Sequence, residues 1–311
     1  MAAIFASLGS LSFLYQVNYS WLYWSWKLLK NSAKNIDYTS VPAQFDRKVR
    51  LMTKFVHEGS LAAFKIFLCC DEVELSQGTG FLYGHAEKTY LVTNRHNISG
   101  RNTLTGQYLD RDKLQPNWLS TDVRVSGSGG IRSVAVGFGW GFSGTKAWLE
   151  HPAGPNVDVV ACDVSEFFNE QSGSPVRINE ISSESYLVEV ADEVFLLGYP
   201  LGLHLDDFPI WKRGTIASEP ALDYEGRPMM VVDTASNKGM SGSPVILRKS
   251  DGRMADGSQV FGGPVGFQFL GVYSGRVAPK RDLDAQLGMV WRAQVIGEII
   301  AANTQYEPPM R

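Results

Sequence analysis

At 311 residues, with 44% hydrophobic and 20% charged side chains, the chain has the composition of a globular protein with room for one large or two ordinary domains, which excludes a disordered or fibrous chain. A formal net charge of −3, with no block of Lys and Arg, excludes a general attraction for nucleic acid. Three cysteines, Cys69, Cys70 and Cys162, are too few and too oddly placed for a disulfide framework, and are expected as buried small hydrophobes in a reducing compartment.

Residues 2–26 carry no charge, end in the cluster Tyr19-Ser20-Trp21-Leu22-Tyr23-Trp24-Ser25-Trp26, and are followed by Lys27, Lys30 and Lys34. Two readings stay open. An aromatic belt with a positive flank suits a helix inserted in or lying on a membrane, with the rest of the chain on the cytoplasmic side. Ser7, Ser10, Ser12, Gln16, Asn18 and Ser20 dilute the apolarity and suit a packed helix or partner-docking segment. A cleaved secretory signal is not expected, since the stretch lacks a leading Lys or Arg and a small-x-small site. The cytoplasm is therefore the expected location, with membrane association through this segment as the alternative.

From about residue 60 onward the pattern is one of short apolar runs separated by turn residues. The runs 63–69, 78–83 and 89–93 read as strands, and so do 121–126, 132–138, 157–164, 186–190, 193–198, 209–217, 228–233, 243–248 and 267–275. That is too many for a single small sheet, so two antiparallel barrels or sandwiches are implied. The polar, breaker-rich stretch 165–185 is the candidate linker, which divides the chain into an extension (1–50), a first half (51–170) and a second half (171–311). Val290, Trp291, Val295, Ile296, Ile299 and Ile300 recur with helical spacing and predict a terminal amphipathic helix on the second half, followed by a loose tail at Glu307-Pro308-Pro309. Gly127–Gly130 and Gly137–Gly141 are read as loop or strand-bend glycines, because no helix follows to make a phosphate loop.

Ser241 lies in Lys238-Gly239-Met240-Ser241-Gly242-Ser243-Pro244, a glycine-flanked turn of the kind that presents a nucleophilic hydroxyl. The histidines stand at 57, 85, 96, 151 and 204, so none follows the serine, which excludes the α/β-hydrolase order of nucleophile before base. His96, just after the run Tyr90-Leu91-Val92-Thr93, is the candidate base. Asp158, at the start of Asp158-Val159-Val160-Ala161-Cys162, is the candidate acid that holds the imidazole, with Asp163 as runner-up. The amides of Gly239 and Ser241 would form an oxyanion hole, worth on the order of 3–4 kcal/mol per donor. Any one of these residues alone reads equally well as a core histidine, a strand-start cap or a turn serine; their order and contexts together carry the assignment. His57, His85, His151 and His204 are read as ordinary residues, and no Cys/His spacing suggests a metal site.

The ensemble resembles the trypsin-like serine peptidase superfamily, in the style of bacterial HtrA-like and stand-alone trypsin-like peptidase domains. Gly78-Thr79-Gly80-Phe81, Leu91-Val92-Thr93-Asn94-Arg95-His96, Asp158-Val159-Val160-Ala161, Leu197-Gly198-Tyr199-Pro200-Leu201-Gly202, Gly214-Thr215-Ile216 and Gly239–Pro244 occur in family order across roughly residues 60 to 300. The resemblance implies an all-β chymotrypsin-like fold of two antiparallel Greek-key barrels with an N-terminal helical extension and a C-terminal helix. It implies a serine endopeptidase acting on polypeptides through His96, Asp158 and Ser241 without a cofactor or metal. It places the substrate pocket at Ala235 and Val272-Tyr273-Ser274, where the alanine disfavours cleavage after Lys or Arg and small or medium apolar residues fit first; Lys238 or Arg276 turned inward would select an acidic residue instead. Met240 stands where digestive members carry an aspartate, so activation by a newly cut amino terminus is not expected, and Ser243 replaces a common glycine. No PDZ-sized region is expected after residue 301. The alternative reading is a catalytically latent, protease-like adaptor tethered by its N-terminal segment.

Overall fold

Between Ala63 and Gln305 the apolar runs form antiparallel strands, and many of these strands bury both faces. The computed structural model describes residues 56–103, 105–126, 131–137, 147–168, 173–181, 184–277 and 286–308. The expected helical extension at 1–50 lies outside the described residues, and so do the glycine runs around 127–130 and 138–141. Among the described residues no helix is long and apolar enough to cross a membrane.

The first half opens with a short helix, α1 (Glu58–Ala62), and continues through β1 (Ala63–Cys70), β2 (Val73–His85), β3 (Lys88–Thr93), α2 (Arg95–Ser99), β4 (Trp118–Ser126), β5 (Ile131–Gly137), β6 (Trp148–Glu150) and β7 (Val160–Asp163). The second half contains β8 (Ser174–Pro175), α3 (Ile178–Ile181), β9 (Glu193–Gly198), β10 (Ile210–Ile216), β11 (Met229–Asp233), β12 (Pro244–Lys249), the hairpin β13 (Gly252–Arg253) and β14 (Gln259–Val260), β15 (Gly266–Arg276), β16 (Leu287–Arg292), α4 (Gln294–Ala302) and β17 (Thr304–Gln305). The chain is mostly β and chymotrypsin-like, as the resemblance implied. Its second half closes as the barrel β10-β11-β16-β15-β12-β9. Among the described residues the first half is a curled sheet in the order β17-β6-β7-β3-β2-β1-β4-β5, with β8 on β4, and does not close.

Alternation along the strands sorts side chains into three cores. Leu91 of β3 and Val160 of β7 join Ile66, Leu119 and Trp148 inside the first sheet. Val194 and Leu196 of β9 join Val232, Met240, Val245 and Val290 inside the barrel. Residues of the opposite parity, among them Val92, Ala161, Leu197, Ile246 and Trp291, fill the joint between the two halves together with Val295, Ile296 and Ile299 of α4. Cys69, Cys70 and Cys162 are buried and form no disulfide, and burial pushes the Cys69 thiol up to about 12.

Several expectations need correction. Val290 and Trp291 belong to β16, and the terminal helix begins only at Gln294. That helix packs on β6 and β7 of the first half as well, and its Val295, Ile296 and Ile299 enter the core shared by both halves. The chain stays anchored as far as Tyr306, since Thr304–Gln305 pairs with β6 and Tyr306 is buried; the tail expected at Glu307-Pro308-Pro309 begins after it, and Pro309 lies outside the described residues. The stretch 165–185 is more than a linker: its described parts include a 3-10 turn at Ser165–Phe167, a strand on β4, and α3, whose Ile178 enters the joint core. Residues 186–190 make no strand, only a bridge from Tyr186 to Met254.

Candidate active site

His96 lies not at the end of a strand but in the first turn of α2, immediately after β3. The helix is closed by Gly100 in the left-handed conformation (φ 63°), whose N–H donates to the His96 carbonyl. Arg95 fixes its other side: Nε pairs with Glu150 Oε2 at 2.7 Å, with both side chains 14% exposed, and the guanidinium lies over the Tyr306 ring. Strand β6 and the anchored C-terminal segment therefore hold the turn that carries the imidazole.

Asp158 precedes β7 and is 3% exposed. Its carboxylate grips His96 at two points, with Oδ1 accepting from the backbone N–H at 2.8 Å and Oδ2 lying 2.6 Å from Nδ1. Asn94 Nδ2 donates to the Asp158 carbonyl at 2.7 Å and ties the same two segments again. Ser274 Oγ donates to Oδ2 at 2.5 Å. Burial alone would raise the Asp158 carboxyl; the charge of His96 and the hydrogen bonds from His96 and Ser274 outweigh it and hold the group below the usual carboxylate range. The runner-up, Asp163, stands at the far end of β7, where it pairs with Lys88 (2.9 Å) and accepts from Ser165 Oγ (2.6 Å).

The contact from Ser274 was not foreseen in that role. The ladder between β15 and β16 shifts register between Tyr273 and Gly275, a one-residue bulge at Ser274, whose side chain faces Asp158. The glycine after Ser274 inside a strand is the one sequence signal for such a bulge.

Ser241 sits on the turn between β11 and β12, on the barrel side, and that turn is stitched to the first sheet. Thr79 N donates to the Ser241 carbonyl (2.9 Å), and Thr79 Oγ1 donates to the Gly239 carbonyl (2.7 Å) while accepting from Tyr199 N (3.3 Å). Thr93 Oγ1 donates to the Thr79 carbonyl (2.8 Å), and Asn97 Nδ2 donates to Thr93 Oγ1 (2.9 Å) and, more weakly, to the Ser241 carbonyl (3.4 Å). One residue after His96, Asn97 thus links the His96 turn to the Ser241 turn.

Two glycines are dictated by this closeness. Gly242 has φ +87°, and a Cβ there would collide with the Thr79 carbonyl and Thr93 Oγ1; Gly239 has φ +92°, and its Cβ would meet the Tyr199 carbonyl. Among the described residues neither the Gly239 nor the Ser241 amide finds an acceptor within the fold, so both remain available to an anionic oxygen. No hydrogen bond joins Ser241 Oγ to His96 Nε2; in such sites this contact commonly tightens only when substrate binds. Met240 is fully buried in the barrel core. The Ser243 hydroxyl is buried without a partner against Gly198, where no side chain would fit.

The expected pocket residues divide. Ala235 is exposed beside the turn, whereas Val272 lies in the joint core and Tyr273 in the barrel core. Lys238 and Arg276 are exposed.

Residues 78–255 match the model of the trypsin-like peptidase domain family. No curated protein matches. Solved structures similar to this chain include the serine endoprotease from Yersinia pestis (12% identity, 85% of this chain and 67% of that one, TM-score 0.46) and the active form of the Rv3671c protease from M. tuberculosis (16% identity, 90% and 97%, TM-score 0.43). The inactive form of Rv3671c protease aligns at 18% identity over 84% of this chain and 96% of that one, with a TM-score of 0.41.

Proposed function

The chain belongs to the trypsin-like peptidase domain family and is a serine peptidase, and from that premise we propose that it is an endopeptidase whose nucleophile is Ser241, whose base is His96 and whose acid is Asp158. Ser241 Oγ attacks the peptide carbonyl as His96 Nε2 takes its proton. Asp158 keeps the imidazole in the Nδ1–H tautomer and stabilises the imidazolium that forms. The amides of Gly239 and Ser241 receive the oxyanion, His96 returns the proton to the leaving amine, and water then hydrolyses the acyl-enzyme through the same base.

The observation that carries this reading is the two-point grip of Asp158 on His96, with the backbone N–H and Nδ1 on the two carboxylate oxygens. A structural ion pair needs only one contact, whereas fixing both ring orientation and tautomer needs two. The uncharged Ala235 supports cleavage after uncharged residues. The missing bond from Ser241 to His96 favours a second reading, a latent site in an adaptor. Labelling with a fluorophosphonate probe separates the two. The folded wild type is expected to label, and Ser241→Ala and His96→Ala to abolish labelling; an unlabelled wild type favours the latent site.

We place the peptidase, residues 51–311, in the cytoplasm acting on polypeptides and not on nucleic acid, with residues 2–26 as its tether to a membrane or a partner protein. Deleting residues 1–35 is expected to leave peptide hydrolysis intact and to remove that binding.

A further inference from the structure

Tyr273 lies beside the turn that carries Ser241: its carbonyl accepts from Gly242 N and its N–H donates to the Ser243 carbonyl, each at 2.9 Å. Its side chain points into the barrel with those of Leu270 and Val290, and only 1% of the residue is exposed. Its hydroxyl makes a short contact with Ser236 Oγ on the turn that carries Ala235. Its ring lies against Gly288 of β16, where an added Cβ would press on the ring and stand 3.0 Å from the hydroxyl oxygen. Ser236, five residues before the nucleophile, and Gly288, facing Val232 across the β11–β16 ladder, thus bracket the ring from two sides. Val232, Met240 and Val290 share the same core cluster and leave the ring nowhere to swing.

We propose that the Tyr273 ring closes the bottom of the pocket for the residue on the amino side of the scissile bond and restricts this peptidase to small uncharged side chains, namely those of Ala, Ser, Thr, Cys and Val. The inference rests on the serine-endopeptidase reading and on the pocket lying between residues 235–236 and 273–276. It narrows the expectation drawn from Ala235, which admitted medium side chains as well. A Leu, Met or Phe side chain entering past Ala235 meets the occupied volume of the ring. A Lys, Arg, Asp or Glu side chain meets two hydroxyls already bonded to each other, which leaves its charge buried without a partner. Burial pushes the Tyr273 phenol up to about 12, so the floor stays neutral through the pH range in which a histidine base works.

The test is a peptide library varied at that residue, read as kcat/KM for the full chain, its Tyr273→Val variant and its Tyr273→Phe variant. For the wild type we expect Ala to exceed Phe, Leu and Arg by about 100-fold or more. Tyr273→Val is expected to lower the ratio of Ala to Leu at least tenfold by opening the pocket, and Tyr273→Phe to keep the wild-type order because it keeps the volume. If Tyr273→Val does not fold, the wild-type profile decides alone: cleavage after Leu, Phe, Lys, Arg or Glu at rates matching Ala overturns the proposal. A wild type that labels with fluorophosphonate at Ser241 yet prefers large side chains overturns this inference and leaves the endopeptidase reading standing. A folded wild type that neither labels nor cleaves any peptide overturns both.

Discussion

The two halves of the candidate site are held by opposite means. On the first sheet, His96 and Asp158 are fixed by side chains: a carboxylate bonded at two points, an amide from Asn94 and the Arg95–Glu150 pair. On the barrel, the Ser241 turn is fixed by backbone, with two glycines at positive φ and carbonyls that receive Thr79 N and Thr79 Oγ1. The difference fits the roles proposed for each part. A base must keep one ring orientation, which needs a directional polar partner; an oxyanion hole needs outward N–H groups, which only backbone torsions supply. The two regimes meet in Thr79, Thr93 and Asn97, all on the first half, so the barrel's turn borrows its rigidity from its neighbour.

The largest test strikes the side-chain regime. Asp158→Asn keeps the shape but offers an amide where the Nδ1–H needs an acceptor, and kcat is expected to fall about 10⁴-fold, as the loss of tautomer control costs in sites of this kind. Fluorophosphonate labelling should slow in parallel. The same substitution has a stability signature. Because the Asp158 carboxyl is held below its unfolded value, about 3.9, its contribution is complete above that value and is lost as pH falls through the lower folded one. Urea unfolding as a function of pH should therefore show a shallower acid limb below about pH 4 in Asp158→Asn than in the wild type.

Thr79→Val strikes the seam. It preserves the strand and the volume but leaves the Gly239 carbonyl and the Tyr199 amide without their buried partner, at a cost of about 1–3 kcal/mol for each group. With Gly239 released, the oxyanion donors lose their aim, and kcat is expected to fall roughly 10²-fold with little change in KM. The pH–rate profile should keep its shape, because the grip of Asp158 on His96 is untouched. A variant that loses only stability and keeps kcat would show that the turn holds its own geometry.

These regimes also explain what the sequence could and could not reveal. The barrel strands were legible because Val194, Leu196, Val245 and Leu247 alternate with residues that face a second buried surface. Trp148-Leu149-Glu150 is too short to show a period, and Val290-Trp291 mimicked a helix because a strand buried on both faces runs directly into α4, with apolar residues spaced by three and four across the junction. That α4 returns to the first half is a property of chain reversal, which no local pattern encodes. His96, Asp158 and Ser241 could be nominated from residue type and order. The preference for Asp158 over Asp163 depends on register, since one precedes and the other ends the same short strand. Ser274 reaches Asp158 because one bulge interrupts the alternation after Tyr273, and only Gly275 hints at it in the sequence.

Ser274→Ala weakens the side-chain regime without breaking it. It removes one of the donors on Asp158 Oδ2 and leaves both bonds to His96 in place. A hydrogen bond to a charged group contributes about 1.5–3 kcal/mol, so kcat is expected to drop between 10- and 100-fold, and Ser274→Thr should recover part of the loss. The Asp158 carboxyl should rise toward its ordinary value, moving the acid limb of stability to higher pH. An unchanged kcat would leave Ser274 a bulge residue with no positioning role.

The smallest effect lies at a ring contact between the two halves. His57 precedes α1, its Nδ1 accepts from the Gly59 amide, and its ring lies edge-on to Trp211 and Phe267 of the barrel. Burial, aided by Arg248 and opposed by Glu58, holds its imidazole below the ordinary value. The folded state therefore favours the neutral ring. Its contribution is complete above the unfolded value of about 6.5 and falls as pH drops below it, since the proton displaces the bond from Gly59. Because the ring is partly exposed, the loss should be only a few tenths of a kcal/mol after solvent screening. His57→Gln, which can still accept from Gly59, should flatten the decline between about pH 7 and pH 5 seen by thermal unfolding, while kcat at neutral pH stays at the wild-type level. A decline that survives the substitution would locate the titrating group elsewhere and remove His57 from the joint.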